Sequence, residues 1–127
     1  MRYLLDTHVI LWVAEKSPLI PGDIYRILRD DESPKFVSIA SAWEIAIKLR
    51  KGSLKLDGGI NAFFEIIDYN GFFELPIRRD YLSKVTNLPL HHKDPFDRIL
   101  IATALAENLT FITIDEDIRK YNIPNIW

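Results

Sequence analysis

The segment from Asp94 to Asp117, DPFDRILIATALAENLTFITIDED, constrains the fold more than any other part of the sequence. Its first half carries apolar residues on nearly every side of a helix, which indicates a buried helix. Its second half is a short β-branched run that stops at Asp115. Acidic residues lie at both ends of this apolar segment, and carboxylates at the ends of a buried scaffold are typical of a site for a hard metal ion.

The composition sets limits on the class of protein. The chain has 127 residues, 48% of them hydrophobic, which predicts one domain over residues 1–127 with a real core. Cysteine is absent, which excludes disulfides and thiolate zinc sites and is compatible with the cytoplasmic location that we expect. No apolar run approaches the roughly 20 residues of a membrane span. The net charge of −2 argues against a basic nucleic-acid coat, so any nucleic-acid contact must be local or metal-mediated.

Short strands alternate with helices along the whole chain. The predicted strands are Tyr3–Leu5, Lys35–Ala40, Phe72–Leu75 and a run from Phe111 to Ile114. The predicted helices are Thr7–Ala14, one starting at Pro21, Ala42–Lys51 capped by Ser41 and ended by Gly52, Ile60–Tyr69, Asp80–Val85 and one starting at Pro95. This alternation predicts an α/β fold with three layers, α/β/α, around a central, mostly parallel sheet.

Four acidic residues fall near one edge of this predicted sheet. Asp6, Glu44 and Asp115 come just after predicted strands, and Asp97 lies in the first turn of the long helix. Sites in open parallel sheets lie outside the carboxyl ends of the strands. The pattern therefore predicts that four separate segments deliver carboxylates to one place.

Each acid also has a purely structural explanation. Ser41 and Glu44 have the spacing of a capping box, which by itself accounts for Glu44. Asp94 fits the N-cap of the long helix, with Pro95 at the first helical position and Asp97 in the first turn, where an acid complements the helix dipole. The other two acids could cap the helices that follow them. These explanations account for each acid singly and leave their common location unexplained.

A divalent cation would account for that common location. Carboxylates packed together repel one another and lose hydration, and a bound cation offsets both costs. Ligand sets made only of oxygen favour Mg²⁺ or Mn²⁺ over zinc. The chemistry that suits such ions is the in-line attack of water on a phosphodiester.

The segments LLDTHVILW, SAWEIAIKLRKGSL, HHKDPFDRILIATA and ITIDED resemble PIN-domain ribonucleases, and more narrowly the VapC toxins of VapBC toxin–antitoxin systems. The resemblance implies cleavage of single-stranded RNA that leaves a 5′-phosphate and a 3′-hydroxyl. It also implies a small antitoxin partner and a homodimer. By the same resemblance, the acids that bind the catalytic Mg²⁺ or Mn²⁺ are Asp6, Glu44, Asp97 and Asp115.

Two further residues take supporting roles under this resemblance. Thr113, in the TxD pattern, is expected to support Asp115. Asp94 belongs to the DPFD form of the motif, and we interpret it as a helix cap behind the metal ligands. His91 and His92, which precede this motif, are interpreted as surface residues, and Arg98 as a cation that buffers the acids.

A basic run follows Glu44 and has two interpretations. Lys48, Arg50 and Lys51 could form a solvated helix face in which Lys48 pairs with Glu44 four residues before it. They could equally contact the phosphates of an RNA, despite the negative total charge.

Two other functions compete with the nuclease. A receiver-type phosphoacceptor domain requires an acidic pair after the first strand and a lysine after the last, whereas here a single Asp6 precedes Thr7 and the last strand leads into TID. A degenerate PIN-like domain that only binds a partner is the second alternative. Since all four acids are present, the sequence gives no support to degeneracy.

Overall fold

A computed structural model describes all residues, 1–127, and contains one five-stranded sheet. The strands are β1 Tyr3–Leu5, β2 Lys35–Ser38, β3 Phe73–Leu75, β4 Thr110–Ile112 and β5 Asn125–Ile126. The helices are α1 Thr7–Glu15, α2 Gly22–Arg29, α3 Ile39–Lys51, α4 Gly59–Tyr69, α5 Arg79–Val85, α6 Pro95–Glu107 and α7 Glu116–Arg119. The strand order is β3-β2-β1-β4-β5, and every neighbouring pair is parallel. The predicted α/β/α arrangement is confirmed.

The central strand β1 is buried on both faces and separates two apolar cores. Tyr3 and Leu5 pack into the core that α1, α2 and α4 cover, whereas Leu4 packs into the core that α6 and α7 cover. Successive side chains of a strand point to opposite faces, which produces this division. No helix of the chain combines the length and the apolar character that crossing a bilayer requires.

Helix α6 is the buried helix that the sequence predicts. Asp94 is its N-cap, with Oδ1 accepting from the Asp97 amide at 3.0 Å, and Pro95 occupies the first helical position. All residues from 98 to 104 are buried. Asn108 ends the helix in the left-handed conformation, with φ at 54°. The cap therefore fixes the backbone of Asp97 at the open end of a helix whose body is locked in the core.

Helix α3 begins earlier than predicted. Ser38 is its N-cap and accepts from the Ala40 amide at 3.0 Å, so the predicted strand to Ala40 and the predicted cap at Ser41 are both wrong. Ser41 instead lies inside the helix, where its Oγ accepts a hydrogen bond from Thr7 Oγ1 at 2.8 Å. The capping-box explanation of Glu44 is thereby removed, because its supposed partner does not cap the helix.

The remaining differences from the prediction are small. Pro21 is the N-cap of α2 and precedes the helix that it was predicted to start. Strand β4 ends at Ile112, so Ile114 lies outside it and is exposed. The sequence did not predict β5, which is two residues long and pairs with β4. Gly52 ends α3 with φ at 77°, as predicted.

Candidate active site

Asp6 is the most firmly held carboxylate at the carboxyl edge of the sheet. It follows β1 directly and caps α1, with Oδ1 accepting from the Thr7 amide at 2.7 Å. Its Oδ2 accepts from Thr113 Oγ1 at 2.8 Å. Burial raises the pKa of Asp6, the hydrogen bond from Thr113 opposes that rise, and the nearby charge of Asp115 adds to it. The carboxylate is therefore fixed in orientation and costly to ionise.

Thr113 connects the first acid to the last. It lies just beyond β4 and is fully buried. Its hydroxyl donates to Asp6 Oδ2 and accepts from the Asp115 amide at 3.0 Å. The resemblance predicted that Thr113 supports Asp115. The structure shows that Thr113 Oγ1 accepts a hydrogen bond from the backbone of Asp115 and donates its own hydrogen bond to the carboxylate of Asp6. Asp115 caps α7, since its Oδ1 accepts from the Asp117 amide at 2.8 Å.

Asp97 has the most perturbed carboxyl group in the chain. Its side chain is 15% exposed, and Oδ2 lies 3.1 Å from His92 Nε2. Burial, opposed by the hydrogen bond with His92 and reinforced by the charges of Asp94, Asp6 and Asp115, raises its pKa to about 7. Carboxylates from three separate segments thus act on one another: Asp6, Asp115, and the pair Asp94 and Asp97 at the start of α6. The sequence predicted this grouping for Asp6, Asp97 and Asp115.

Glu44 does not share the contacts that connect the other acids. It is buried in the second turn of α3, one turn beyond the Ser41–Thr7 contact that ties this helix to the start of α1. Its Oε2 accepts from Lys48 Nζ at 2.9 Å, which confirms the predicted pair. No hydrogen bond joins Glu44 to the other three predicted ligands.

The donor set is suited to a hydrated divalent cation. No three acidic or histidine side chains converge tightly enough to enclose an ion. Mg²⁺ rarely uses such an enclosure, because it keeps several waters and binds through one or two carboxylates and the phosphates of a substrate. Asp6 and Asp97 have raised pKa values in part because nearby carboxylates repel their charged forms, and a cation would relieve that repulsion. The residues present therefore fit an ion of this class.

The sequence interpretation missed His92 and misplaced Arg98. The side chain of His92 is only 12% exposed and contacts both Asp97 and Tyr121, so the surface interpretation is wrong for this histidine. Arg98 is buried, makes no ion pair, and donates to backbone carbonyls and to Tyr121, so it does not pair with the acids. No local sequence pattern indicates that His92 and Arg98 contact Tyr121, because Tyr121 lies 29 residues from His92 and 23 residues from Arg98.

The other predicted residues lie on the surface. Arg50 and Lys51 are exposed at the end of α3 and form no ion pair, whereas Lys48 is engaged with Glu44. A small pocket of about 160 Å³, lined in part by Thr7, His8 and Lys48, lies between α1 and α3 next to Asp6. The largest groove, about 650 Å³ between α1, α2 and α4, is lined by none of the four predicted ligands.

The sequence matches the model of the PIN domain family over residues 3–124. The chain belongs to the PIN domain family. A search of curated protein sequences gives no match for this PIN domain.

Solved structures share the fold of this PIN domain at low sequence identity. VapBC2 from Rickettsia felis, bound to a DNA fragment from its promoter, matches with a TM-score of 0.77 and 16% identity over 99% of this chain and 98% of that chain. VapBC-1 from nontypeable Haemophilus influenzae matches with a TM-score of 0.70 and 20% identity over 99% and 97%. A toxin–antitoxin complex from Klebsiella pneumoniae matches with a TM-score of 0.64 and 18% identity over 98% and 96%.

We predict that Asp97 makes the stability of the metal-free protein depend on pH. Its pKa in the folded state lies above the ordinary value of 3.8, at about 7, so the folded state prefers the protonated acid. Its contribution is fully present below the ordinary value and is lost as pH rises to the folded value, at up to about 1.4 kcal/mol per pH unit. Urea unfolding in a chelator should show a larger decline in the parent than in Asp97→Asn, which keeps only the contribution of Asp6.

Asp94→Asn is the matched variant for this measurement. Asparagine caps a helix as well as aspartate does, so α6 should keep its N-cap. The variant removes a neighbouring negative charge, so the pKa of Asp97 should fall and the decline should end at a lower pH. Equal pH dependence in the parent and in Asp97→Asn would contradict the assignment.

Proposed function

We propose that this PIN domain is a metal-dependent endoribonuclease, the toxin of a type II toxin–antitoxin system. The observation that carries the proposal is the acidic edge, where Asp6 follows β1, Asp97 lies in the first turn of α6 and Asp115 caps α7. Burial and the charges of the neighbouring acids raise the pKa of Asp97 there. Such an arrangement is costly without a cation and useful with one. The likeness of the fold to toxins in VapBC complexes supports the toxin assignment.

In this proposal Asp6, Glu44, Asp97 and Asp115 hold Mg²⁺ or Mn²⁺. The bound ion supplies charge that polarises the scissile phosphate and activates water for in-line attack. Asp6 contributes a rigid carboxylate, because Thr7 and Thr113 hold both of its oxygens.

The other acids have graded roles. Asp97 contributes an oxygen at the open end of a capped helix. Asp115 is partly committed to capping α7, so we assign it the smallest share of the four. Asp94 keeps the α6 backbone in place from outside the ligand set, and Thr113 does the same for the start of α7.

We predict that Asp6→Asn, Glu44→Gln and Asp97→Asn each abolish RNA cleavage in saturating Mg²⁺, with the fold retained. An amide keeps the shape of the side chain and removes the charge that attracts the ion. Asp23→Asn, an exposed acid in the first turn of α2, is the control and should keep full activity. Full activity of Asp97→Asn would remove that residue from the mechanism. A PIN domain that only binds a partner would show no metal-dependent cleavage in any form.

Thermal melts test the same ligands without a substrate. A ligand present at a hundredfold excess over its Kd stabilises the folded state by about 2.7 kcal/mol, so Mn²⁺ should raise the Tm of the parent, whereas Na⁺ at matched ionic strength should not. Metal-free Asp97→Asn should melt no lower than the parent, since the change relieves repulsion, and should lose most of its response to Mn²⁺. Melting temperatures that are equal in all conditions would contradict the metal site.

We further propose that the exposed end of α3 contacts RNA phosphates. Arg50 and Lys51 are solvated and unpaired, and Lys48 lies between them and Glu44 along the helix. Arg50→Gln and Lys51→Gln should each weaken RNA binding and lower the slope of log K against log salt by about 0.7. Arg26→Gln on α2 is the control for loss of one exposed positive charge. Unchanged slopes in the α3 variants would leave only the solvated-face interpretation.

The proposed partners are a small antitoxin and a second copy of the chain. A basic side chain of the antitoxin, placed over the acidic edge, would supply the charge that the cation supplies and so block the site. We predict that the complex does not cleave RNA, and that charge reversal of that antitoxin residue restores cleavage. Light scattering should give the mass of a homodimer for the free toxin. A complex active at the full rate would contradict the blockade, and a monomer at all concentrations would contradict the dimer.

A further inference from the structure

A continuous chain of hydrogen bonds runs from the interior of the protein to Asp97. Arg98 Nη1 lies 2.9 Å from Tyr121 Oη, which lies 2.9 Å from His92 Nδ1, and His92 Nε2 lies 3.1 Å from Asp97 Oδ2. The four residues come from the loop before α6, from α6 itself and from the segment after α7. Neither His92 nor Tyr121 has a part in the chemistry proposed above.

The direction of this chain follows from its inner end. A guanidinium group only donates hydrogen bonds, so Tyr121 Oη accepts from Arg98. The Tyr121 hydroxyl proton then has one acceptor within reach, His92 Nδ1. His92 therefore carries its own proton on Nε2 and donates it to Asp97 Oδ2. The opposite tautomer would leave the Tyr121 proton without an acceptor and turn a lone pair of Nε2 towards the carboxylate.

The inner end of the chain is rigid. Besides Tyr121, Arg98 donates to the carbonyl oxygens of Pro89 at 2.8 Å and of Val85 and Leu88 at 3.3 Å. It is 8% exposed, and these carbonyls and the hydroxyl take the place of the carboxylate partner that a buried cation ordinarily has. The ring of Tyr121 is itself buried in the core that α6 covers. A fixed guanidinium thus orients a fixed phenol, which orients His92.

We propose that His92 and Tyr121 are positioning residues that hold the Asp97 carboxylate in one orientation for the divalent cation. Oδ2 is engaged by His92, and Oδ1 makes no hydrogen bond, so the free oxygen is the one offered to the ion. Ligating carboxylates are commonly held by hydrogen bonds from outside the ligand set, and removing such a partner typically costs 10- to 100-fold in metal affinity. The inference rests on the proposed function in taking Asp97 as a ligand.

Tyr121→Phe tests the proposal, because it removes one hydroxyl and leaves the ring and Asp97 in place. We expect its affinity for Mn²⁺, measured by calorimetry, to fall about tenfold or more. His92→Ala should lose as much, and adding Tyr121→Phe to it should cost nothing further, because both act through the same bond. His92→Gln, whose amide can donate to Asp97 without Tyr121, should recover part of the affinity.

Tyr81→Phe is the matched control. Tyr81 is 1% exposed, and its hydroxyl donates to Glu107 at 2.7 Å, near the opposite end of α6. The ten residues from Asp97 to Glu107 correspond to roughly 15 Å of helix. Loss of this partly buried hydrogen bond should lower the Tm and leave the Mn²⁺ affinity unchanged. If Tyr121→Phe also lowers only the Tm, the hydrogen bonds from Arg98 to Asp97 serve stability alone and the proposal is overturned.

A second measurement separates this proposal from the nuclease assignment. Long-range ¹H–¹⁵N spectra of the metal-free protein should show His92 with its proton on Nε2, and Tyr121→Phe should disturb that signal. A His92 ring with its proton on Nδ1 and none on Nε2 would overturn the proposal whatever the metal affinity. If the parent binds no Mn²⁺ and cleaves no RNA, the proposed function fails, and the role of these hydrogen bonds in metal binding fails with it. A proton on Nε2 in that case would show that the hydrogen bonds exist and that Asp97 is not a metal ligand.

Discussion

The acidic edge depends on the pairing of β1 with β4. Leu5 lies opposite Ile112, and the pairing continues past the strands, where the Asp6 amide donates to the Ile112 carbonyl at 3.1 Å. This register sets Asp6 beside Thr113, so that the carboxylate meets the hydroxyl. A slip of one strand by one residue would turn its side chains to the opposite face of the sheet, so Asp6 and Thr113 would no longer meet. Two segments more than a hundred residues apart are thereby aligned at the level of single atoms.

The fold offsets the cost of clustering these carboxylates position by position. Asp6 receives two hydrogen bonds, Asp94 is left exposed as a helix cap, and Asp115 caps α7. Asp97 has the weakest compensation, a single contact with His92 in a setting that disfavours its charged form. Functional sites commonly break the rules that the rest of a fold obeys, and Asp97 is where this one does so.

The features that the sequence predicted well are those decided by neighbours along the chain. The Asp94 cap, the proline after it, the buried body of α6 and the glycine that ends α3 all depend on local backbone chemistry. The predicted start of α3 was wrong because Ser38 and Ser41 are both acceptable N-caps. In the structure Ser38 caps the helix, and Ser41 instead contacts Thr7. That contact joins α3 to α1 and has no counterpart in local sequence.

The candidate site divides in the same way. The strand–helix alternation predicted that Asp6, Glu44, Asp97 and Asp115 lie at one edge, since parallel strands end together. The charges of Asp6 and Asp115 do act on Asp97, whereas Glu44 contacts only Lys48. The hydrogen bond of Thr113 to Asp6 spans 107 residues, and the contact of His92 with Tyr121 spans 29 residues. Periodicity and capping rules contain no information about such partners.

The aromatic contact between α3 and α6 gives the protein an optical label of its own. Trp43 and Phe96 meet edge to face with ring centroids 5.3 Å apart, although the indole remains 60% exposed. Each ring is the sequence neighbour of a proposed ligand, Trp43 of Glu44 and Phe96 of Asp97. The other two tryptophans, Trp12 and Trp127, pack against each other with centroids 5.6 Å apart. A movement of α3 relative to the start of α6 must alter the surroundings of the Trp43 indole. The emission of Trp43 therefore reports on the distance between the two helices without any attached dye.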